Sequence, residues 1–476
     1  MNNVFMITSF LPEIVLLVGA CIALLTDAFA PKKTNAAYYL CQLSLVIAAI
    51  ISFYGMPTET ITQFHGAFVL DKFAVSLKLF SYVAVFLTFI YSRRYVCTQK
   101  IPQGEYYVLG LLSTLGILVL ISAGNFISLY LGLELMSLPI YAMVALERER
   151  ARCLEAAMKY FVMGSLASGL LLYGLSLLFG VSHSVDLSVV AEAISQHTTQ
   201  ELPLLILGMV FIVAGIAFKF GAAPFHFWVP DVYDGAPSSV TLFISAAPKL
   251  AAFGLSIRLL VDAMPALHIQ WQEVLVVIAI ASMAIGNIVA IAQTNIKRML
   301  AYSSIAHMGY MILGLATGTS DGYGAAMFYI VSYTLMSLGA FGMIVLMSKE
   351  GYEPEAISDF AGLNTRNPWL AFMWLLILFS MAGIPPLVGF IAKVGLLEAL
   401  INVHMTWLAV LAILFAIIGA YYYLRVVKVI YFEEPKEVTP VFYTRTEQVA
   451  ISLNGLAVLV LGILPGWLFV LSHGVL

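Results

Sequence analysis

Apolar stretches of about twenty residues follow one another almost without pause from Thr8 to Val470. A helix that crosses a bilayer needs about 20 such residues. The chain is 62% hydrophobic and only 10% charged, with a mean hydropathy of +0.97. A soluble domain is closer to 45–50% apolar and about 25% charged. These numbers set the fold class as an all-α polytopic membrane protein. The expected spans are Thr8–Phe29, Ala37–Tyr54, Phe73–Ser92, Tyr107–Ser122, Phe126–Leu146, Leu154–Phe179, Leu202–Trp228, Ser238–Leu260, Gln272–Ala292, Met299–Ala316, Tyr323–Leu346, Trp369–Leu400, Met405–Phe432 and Ile451–Val470. The narrowest separation, Ser122–Asn125, lies between the fourth and fifth.

Lysine and arginine placement orients such a chain, because short cytoplasmic loops carry the excess of both. Lys32 and Lys33 follow the first span, Arg93, Arg94 and Lys100 the third, and Arg148, Arg150 and Arg152 the fifth. Lys297 and Arg298 follow the ninth, Lys349 and Arg366 the eleventh, and Lys428, Lys436 and Arg445 the thirteenth. The opposite loops Val181–Pro203, Asp262–Trp271 and Ala316–Gly322 have neither residue. Odd-to-even loops are therefore expected in the cytoplasm, and both termini on the outer side of the membrane. The N-terminus lacks a basic region ahead of its apolar run, so it reads as a first span and not a cleaved signal peptide.

Within this apolar background, Phe218–Lys249 holds two lysines, a histidine, two aspartates and four prolines. Proline removes a backbone donor and breaks the helical ladder, which membranes tolerate where protein or water satisfies the freed groups. Charge beside a broken helix is the pattern of an ion-coupling site. Lys159, Lys219, Lys249 and Lys393 all sit inside apolar helices. At about 2.5–3.5 kcal/mol each they would cost roughly 10–14 kcal/mol if nothing compensated them. That rivals the whole stability of a domain, about 5–15 kcal/mol. A buried lysine balanced between desolvation and a nearby carboxylate can load and release a proton.

Glu134, in LGLELMSLP, has no cation at i+3 or i+4, so a partner is expected on another helix, Lys159 or Lys219. His226 follows the break at Pro224, where it can hold water beside the Lys219 ammonium or merely cap the second half-helix. His307, in SSIAHMGY, is either a proton relay or a satisfied core histidine. Lys159 has Glu155 at i−4 and could equally form a surface pair. Lys72, Lys78 and the Arg258–Asp262 pair lie near span ends, where snorkelling is the simpler account. Cys21, Cys41, Cys97 and Cys153 form no metal-binding pattern, and no basic tract suggests nucleic acid.

The sequence also repeats. AAMKYFVMGSLASG at 156–169 matches AAMFYIVSYTLMSL at 325–338 in seven of fourteen positions, in spans expected to run in opposite directions. GAAP at 221–224 likewise pairs with GIPP at 383–386. This pattern predicts inverted repeats with spans 7 and 12 broken.

GAAPFHFWVPDVYDGAP followed by PKLAAF, GNFISLYLGLELMSLPIYAMVAL, MLAYSSIAHMGY and GIPPLVGFIAKVGLLEA together resemble the antiporter-like membrane subunits of the proton-pumping NADH:quinone oxidoreductase, respiratory complex I. The similarity runs through nearly the whole chain. It implies two five-helix inverted repeats, spans 4–8 (residues 105–262) and 9–13 (residues 263–432), flanked by residues 1–104 and 433–476. It implies a mid-membrane axis carrying Glu134, Lys159, Lys219, Lys249 and Lys393. It implies that NADH, FMN, iron–sulfur clusters and quinone belong to partner subunits, and that this chain itself holds no cofactor or metal. Expected partners are sister antiporter-like subunits, small membrane subunits and lipid. The expected function is proton translocation coupled to redox chemistry elsewhere. A stand-alone or Mrp-like cation/proton antiporter and a non-pumping scaffold are the alternatives. A lysine at 393, where one sister subunit is expected to carry glutamate, and the lack of a long C-terminal extension narrow the choice among the sisters.

Overall fold

A computed structural model describes residues 9–29, 35–435 and 443–475. Lys32, Lys33 and Lys436 of the expected basic loops lie outside these. Helices α1 (Leu11–Phe29), α2 (Ala36–Tyr54) and α3 (Lys72–Thr98) precede α4 (Gln103–Ile121), α5 (Phe126–Val144) and α6 (Ala151–Ser182). A short helix, α7 (Leu187–Ser195), leads to α8 (Leu202–Phe220), α9 (Trp228–Gly235) and α10 (Ser238–Ser256). Then come α11 (His268–Ala292), α12 (Ile296–Ala316) and α13 (Ser320–Met347). The chain continues through α14 (Leu363–Arg366), α15 (Pro368–Ala382), α16 (Val388–Asn402), α17 (Thr406–Phe432), α18 (Arg445–Ile463) and α19 (Gly466–His473).

Among the described residues, 13 helices are long and apolar enough to cross a membrane. The remaining expected span is the broken pair α15 and α16, each 15 residues long. The fourteen-span expectation is therefore met.

Polar residues set the boundaries. Asn125 accepts from the Ser128 amide at 2.8 Å and starts α5, which ends the narrow gap after α4 within four residues. Thr444 and Glu447 form a reciprocal cap that starts α18 six residues ahead of the expected Ile451. Pro465 then ends it, because the residue before a proline is pushed out of helical geometry. A small antiparallel hairpin, β1 (Ile61–Gln63) and β2 (Phe68–Leu70), was not expected from the sequence, nor was α7.

The segment Ser238–Leu260 is buried throughout, and α12 and α13 almost so, whereas α1, α2, α17 and α18 show apolar side chains outward. Three helices that sequence ranks as ordinary spans thus form the centre.

The snorkelling account of Lys78 and Arg258 is wrong. Lys78 is 1% exposed and pairs at 2.5 Å with Glu13 of α1, itself buried. Arg258 is 5% exposed and bridges Asp71 at 2.8 Å and Asp262 at 3.0 Å, in a π-helical turn that extends α10. Both cations are compensated by carboxylates from other parts of the chain, so neither has to reach a headgroup. Lys72 is exposed, as a span-end lysine should be.

Candidate functional site in the broken helices

Helix α8 stops in mid-sequence because Gly221 takes a left-handed conformation, φ +67°. The amides of Gly221 and Ala222 turn back to the carbonyls of Phe218 and Ala217 at 2.9 and 2.8 Å. This closure is a glycine-dependent C-terminal motif. Trp228 Nε1, at the start of α9, donates to the Phe218 carbonyl at 3.1 Å. The Phe220 carbonyl accepts from the Lys249 ammonium of α10. A fully buried cation thus sits on the negative end of a helix dipole, with the Trp228 ring 5.8 Å away.

Lys219 is on the last turn of α8. Its Nζ donates to Ser137 Oγ at 3.0 Å, and the Ser137 hydroxyl in turn donates to the Leu133 carbonyl at 2.7 Å. Ser137 lies one turn after Glu134 on α5, so Lys219 reaches the turn of α5 that carries the carboxylate. Among the described residues, Glu134 makes no ion pair within 4 Å, so the expected lysine partner is near but not in contact. Of the two candidates the structure brings Lys219 to Glu134 and leaves Lys159 elsewhere. Lys159 is 42% exposed and pairs with Glu155 at 2.9 Å and Asp231 at 2.8 Å.

The second break has the same local chemistry. Gly383, φ +88°, ends α15. Lys393 reaches back from α16, and its Nζ donates to the carbonyls of Ala382 at 2.9 Å and Met381 at 3.2 Å. Sequence alignment of the two breaks sets Lys393 against Asp231. The structure instead gives Lys393 the same task as Lys249, each ammonium closing the carbonyl end of a first half-helix. One comes from the next helix and the other from the same broken helix.

Hydroxyls lie between the two lysines. Ser245, one turn before Lys249, meets Ser337 of α13 at 2.9 Å. Tyr333, one turn before Ser337, donates to Ser304 of α12 at 2.7 Å, and its ring lies 5.3 Å from the His307 ring. His307 is buried, with the Tyr329 hydroxyl 2.7 Å from Nδ1 and the Tyr423 hydroxyl 3.0 Å from Nε2. A small cavity bounded by His307, Asn287, Tyr310, Tyr422 and Lys393 joins the histidine to the second break. Both hydroxyls at His307 come from other helices, α13 and α17.

His226 stands apart. It is 6% exposed, stacks on Phe227 at 4.5 Å, and its Nδ1 has no hydrogen-bond partner among the described residues. No described contact joins it to Lys219 or Lys249.

The hydroxyl set was missed in the sequence, although a trace was there. Tyr329, Tyr333 and Ser337 recur every fourth residue, which places them on one face of a helix. Ser245 and Ser304 carry no comparable periodicity.

The model of the NADH:quinone oxidoreductase/Mrp antiporter transmembrane family matches residues 123–419. That segment contains all seven of the candidate residues. NADH-quinone oxidoreductase subunit N of Coxiella burnetii is 60% identical over 97% of both chains. The subunit N of Herminiimonas arsenicoxydans is 50% identical over 98% of this chain and 97% of its own. A chain of respiratory complex I from Thermus thermophilus superposes with a TM-score of 0.84 at 30% identity, covering 97% of this chain and 99% of that one. A chain of the Mrp complex from Dietzia sp. shares the fold, TM-score 0.86 at 20% identity, over 98% and 96%. The broken helices, the lysines on their carbonyl ends and these similarities agree: the chain belongs to the NADH-quinone oxidoreductase subunit N family of antiporter-like membrane subunits.

Proposed function

We propose that this chain is a membrane-arm subunit of a bacterial NADH:quinone oxidoreductase and that it moves protons across the inner membrane. The observation that carries the reading is the interior path of titratable and hydroxyl groups from Lys219 and Lys249, through Ser245, Ser337, Tyr333, Ser304 and His307, to Lys393. Lys219 and Lys249 flank one helix end, since Lys249 is bound to the carbonyl of the residue after Lys219. A proton loaded on Lys219 is attracted by Glu134 and repelled by a charged Lys249. A change in the Glu134 interaction therefore biases which lysine holds the proton. At each break, loss of the ammonium charge weakens its hold on the half-helix carbonyls, by up to about 2 kcal/mol in a partly buried dipole geometry. Proton load and the closure of the break are thereby linked.

In this reading residues 105–262 and 263–432 are the two inverted repeats, Lys249 and Lys393 are their equivalent lysines, and both termini lie on the periplasmic side. NADH, FMN, iron–sulfur clusters and quinone are held by partner subunits, next to which this chain packs its apolar outer helices. Among the described residues, no group of three or more His, Cys, Asp or Glu side chains comes together as a metal site.

The test is Lys219→Ala in the assembled, vesicle-reconstituted complex. Normal assembly with loss of coupled proton uptake is expected. Native pumping in that variant would remove the chain from the proton path and leave a scaffold. An autonomous Na⁺/H⁺ antiporter is the second reading, on the strength of the shared Mrp fold. Sodium prefers oxygen ligands, and a lysine-dominated axis disfavours it. Sodium flux from the isolated chain in vesicles would favour it.

A further inference from the structure

The half-helix α9 is only eight residues long, about 12 Å at 1.5 Å per residue. Its two ends do different things. At its start, Trp228 touches the freed Phe218 carbonyl and faces the Lys249 ammonium, both deep in the protein. Farther along, Asp231 in the first turn and Asp234 next to the end reach charges on two other helices. Asp231 lies 2.8 Å from Lys159 of α6 and 3.1 Å from Arg298 of α12. Asp234, 7% exposed, lies 2.6 Å from Arg152 of α6 and 3.7 Å from Arg298, and accepts from Asn295 Nδ2 at 2.8 Å.

The cations that hold α9 are themselves wet. Arg152 is 50% exposed and also reaches Glu355 at 3.2 Å. Glu155, beside Lys159, is 66% exposed. The clasp is thus the boundary between water on the basic face and the buried Trp228 and Lys249. Gly235 lets the last turn of α9 lie against the Arg152 backbone and Ala156, where a Cβ would collide. Cys153 seals the same contact: its thiol, fully buried, donates to the Gly235 carbonyl at 3.0 Å.

We infer that Asp231 and Asp234 are positioning residues for the lysine axis, clasping α9 to α6 and α12 so that the basic face of the path stays closed until α9 lifts. Opening the clasp tilts a rigid eight-residue segment whose other end bears on the Lys249 site. Access from the basic face and the environment of Lys249 then change together. This rests on the reading of Lys249 as a proton carrier, but the clasp can be tested without measuring protons.

Cys153 is a built-in reporter, because it is covered by α9 only while the clasp is shut. The assembled complex is treated with a membrane-impermeant maleimide, and the Cys153 peptide is quantified by mass spectrometry, which separates it from the exposed Cys21 and Cys97. Asp231→Asn and Asp234→Asn each remove two ionic contacts and are expected to label about tenfold faster than the native protein. Asp231→Glu, which keeps the charge that faces Lys159 and Arg298, is expected to hold labelling nearer the native rate than Asp231→Asn, which a general loosening of the fold would not do. In the native complex, NADH-driven turnover is expected to speed Cys153 labelling relative to the resting enzyme. This arm decides the matter if a variant does not assemble. Unchanged Cys153 labelling on turnover, or native labelling rates in assembled Asp→Asn variants, would overturn the clasp. Faster labelling together with intact pumping by Lys219→Ala would keep the clasp and sink the proton role instead.

Discussion

Glu353 offers a test of the charge network on the basic face, and its size follows from the structure. The residue sits in the segment between α13 and α14, with its side chain 6% exposed. It accepts from the Tyr95 hydroxyl of α3, lies 3.1 Å from Arg150 and accepts weakly from the Ser238 amide at 3.4 Å. Burial alone would push its pKa up. The charge of buried Lys297, the Tyr95 hydrogen bond and Arg150 outweigh burial and leave the carboxyl lowered from 4.5 to about 2. A drop of that size is worth about 3 kcal/mol of folded-state stability. The Arg150 share shrinks because that side chain is 39% exposed and screened, so roughly 2 kcal/mol is expected on Glu353→Gln. The sign is fixed by the direction of the shift. A carboxyl lowered in the folded state stabilises fully above its unfolded value of 4.5, and that stabilisation fades as pH falls toward 2. Thermal unfolding of the full chain in detergent should place Glu353→Gln a few degrees below the native protein at pH 7. By about pH 3 less than half of the difference should survive. Equal melting at pH 7, or a gap that does not narrow with acid, would show that an ionised Glu353 does not tie α3, α10 and Arg150 together.

Glu13→Gln strands Lys78 in the interior and should cost about 3–5 kcal/mol, whereas Glu13→Leu with Lys78→Met should recover most of it; comparable melting of the two variants would deny the buried pair. Gly221→Ala forces a left-handed alanine and sets a Cβ against Val229, for a loss of at least about 1 kcal/mol. Gly169→Ala, with open space around it in α6, should melt no lower than native. Ser337→Ala should slow coupled proton uptake in the reconstituted complex with assembly unchanged, and Ser337→Thr should restore it; native rates in the alanine variant would take Ser337 out of the path.

Sequence alone determined much of this molecule. Span length and apolar content fix the number of crossings, since a helix must cover a set thickness of hydrocarbon. Proline and glycine at 221–224 and 383–386 fix where two helices break, because backbone geometry there is local. The lysines were legible as misplaced charges for the same reason: their cost in oil does not depend on what surrounds them. Their partners were not legible. Lys78 finds Glu13 from 65 residues away, Lys249 finds the end of α8, and Lys159 turns out to the surface while Lys219 turns to Ser137 of α5. Such pairings depend on how helices rotate and cross, which is set by packing across the whole bundle and leaves no local periodicity to read. The hydroxyl pairs between α10, α12 and α13 are of this kind: Ser245 meets Ser337, and Tyr333 meets Ser304, only when three buried helices bring them within hydrogen-bond reach.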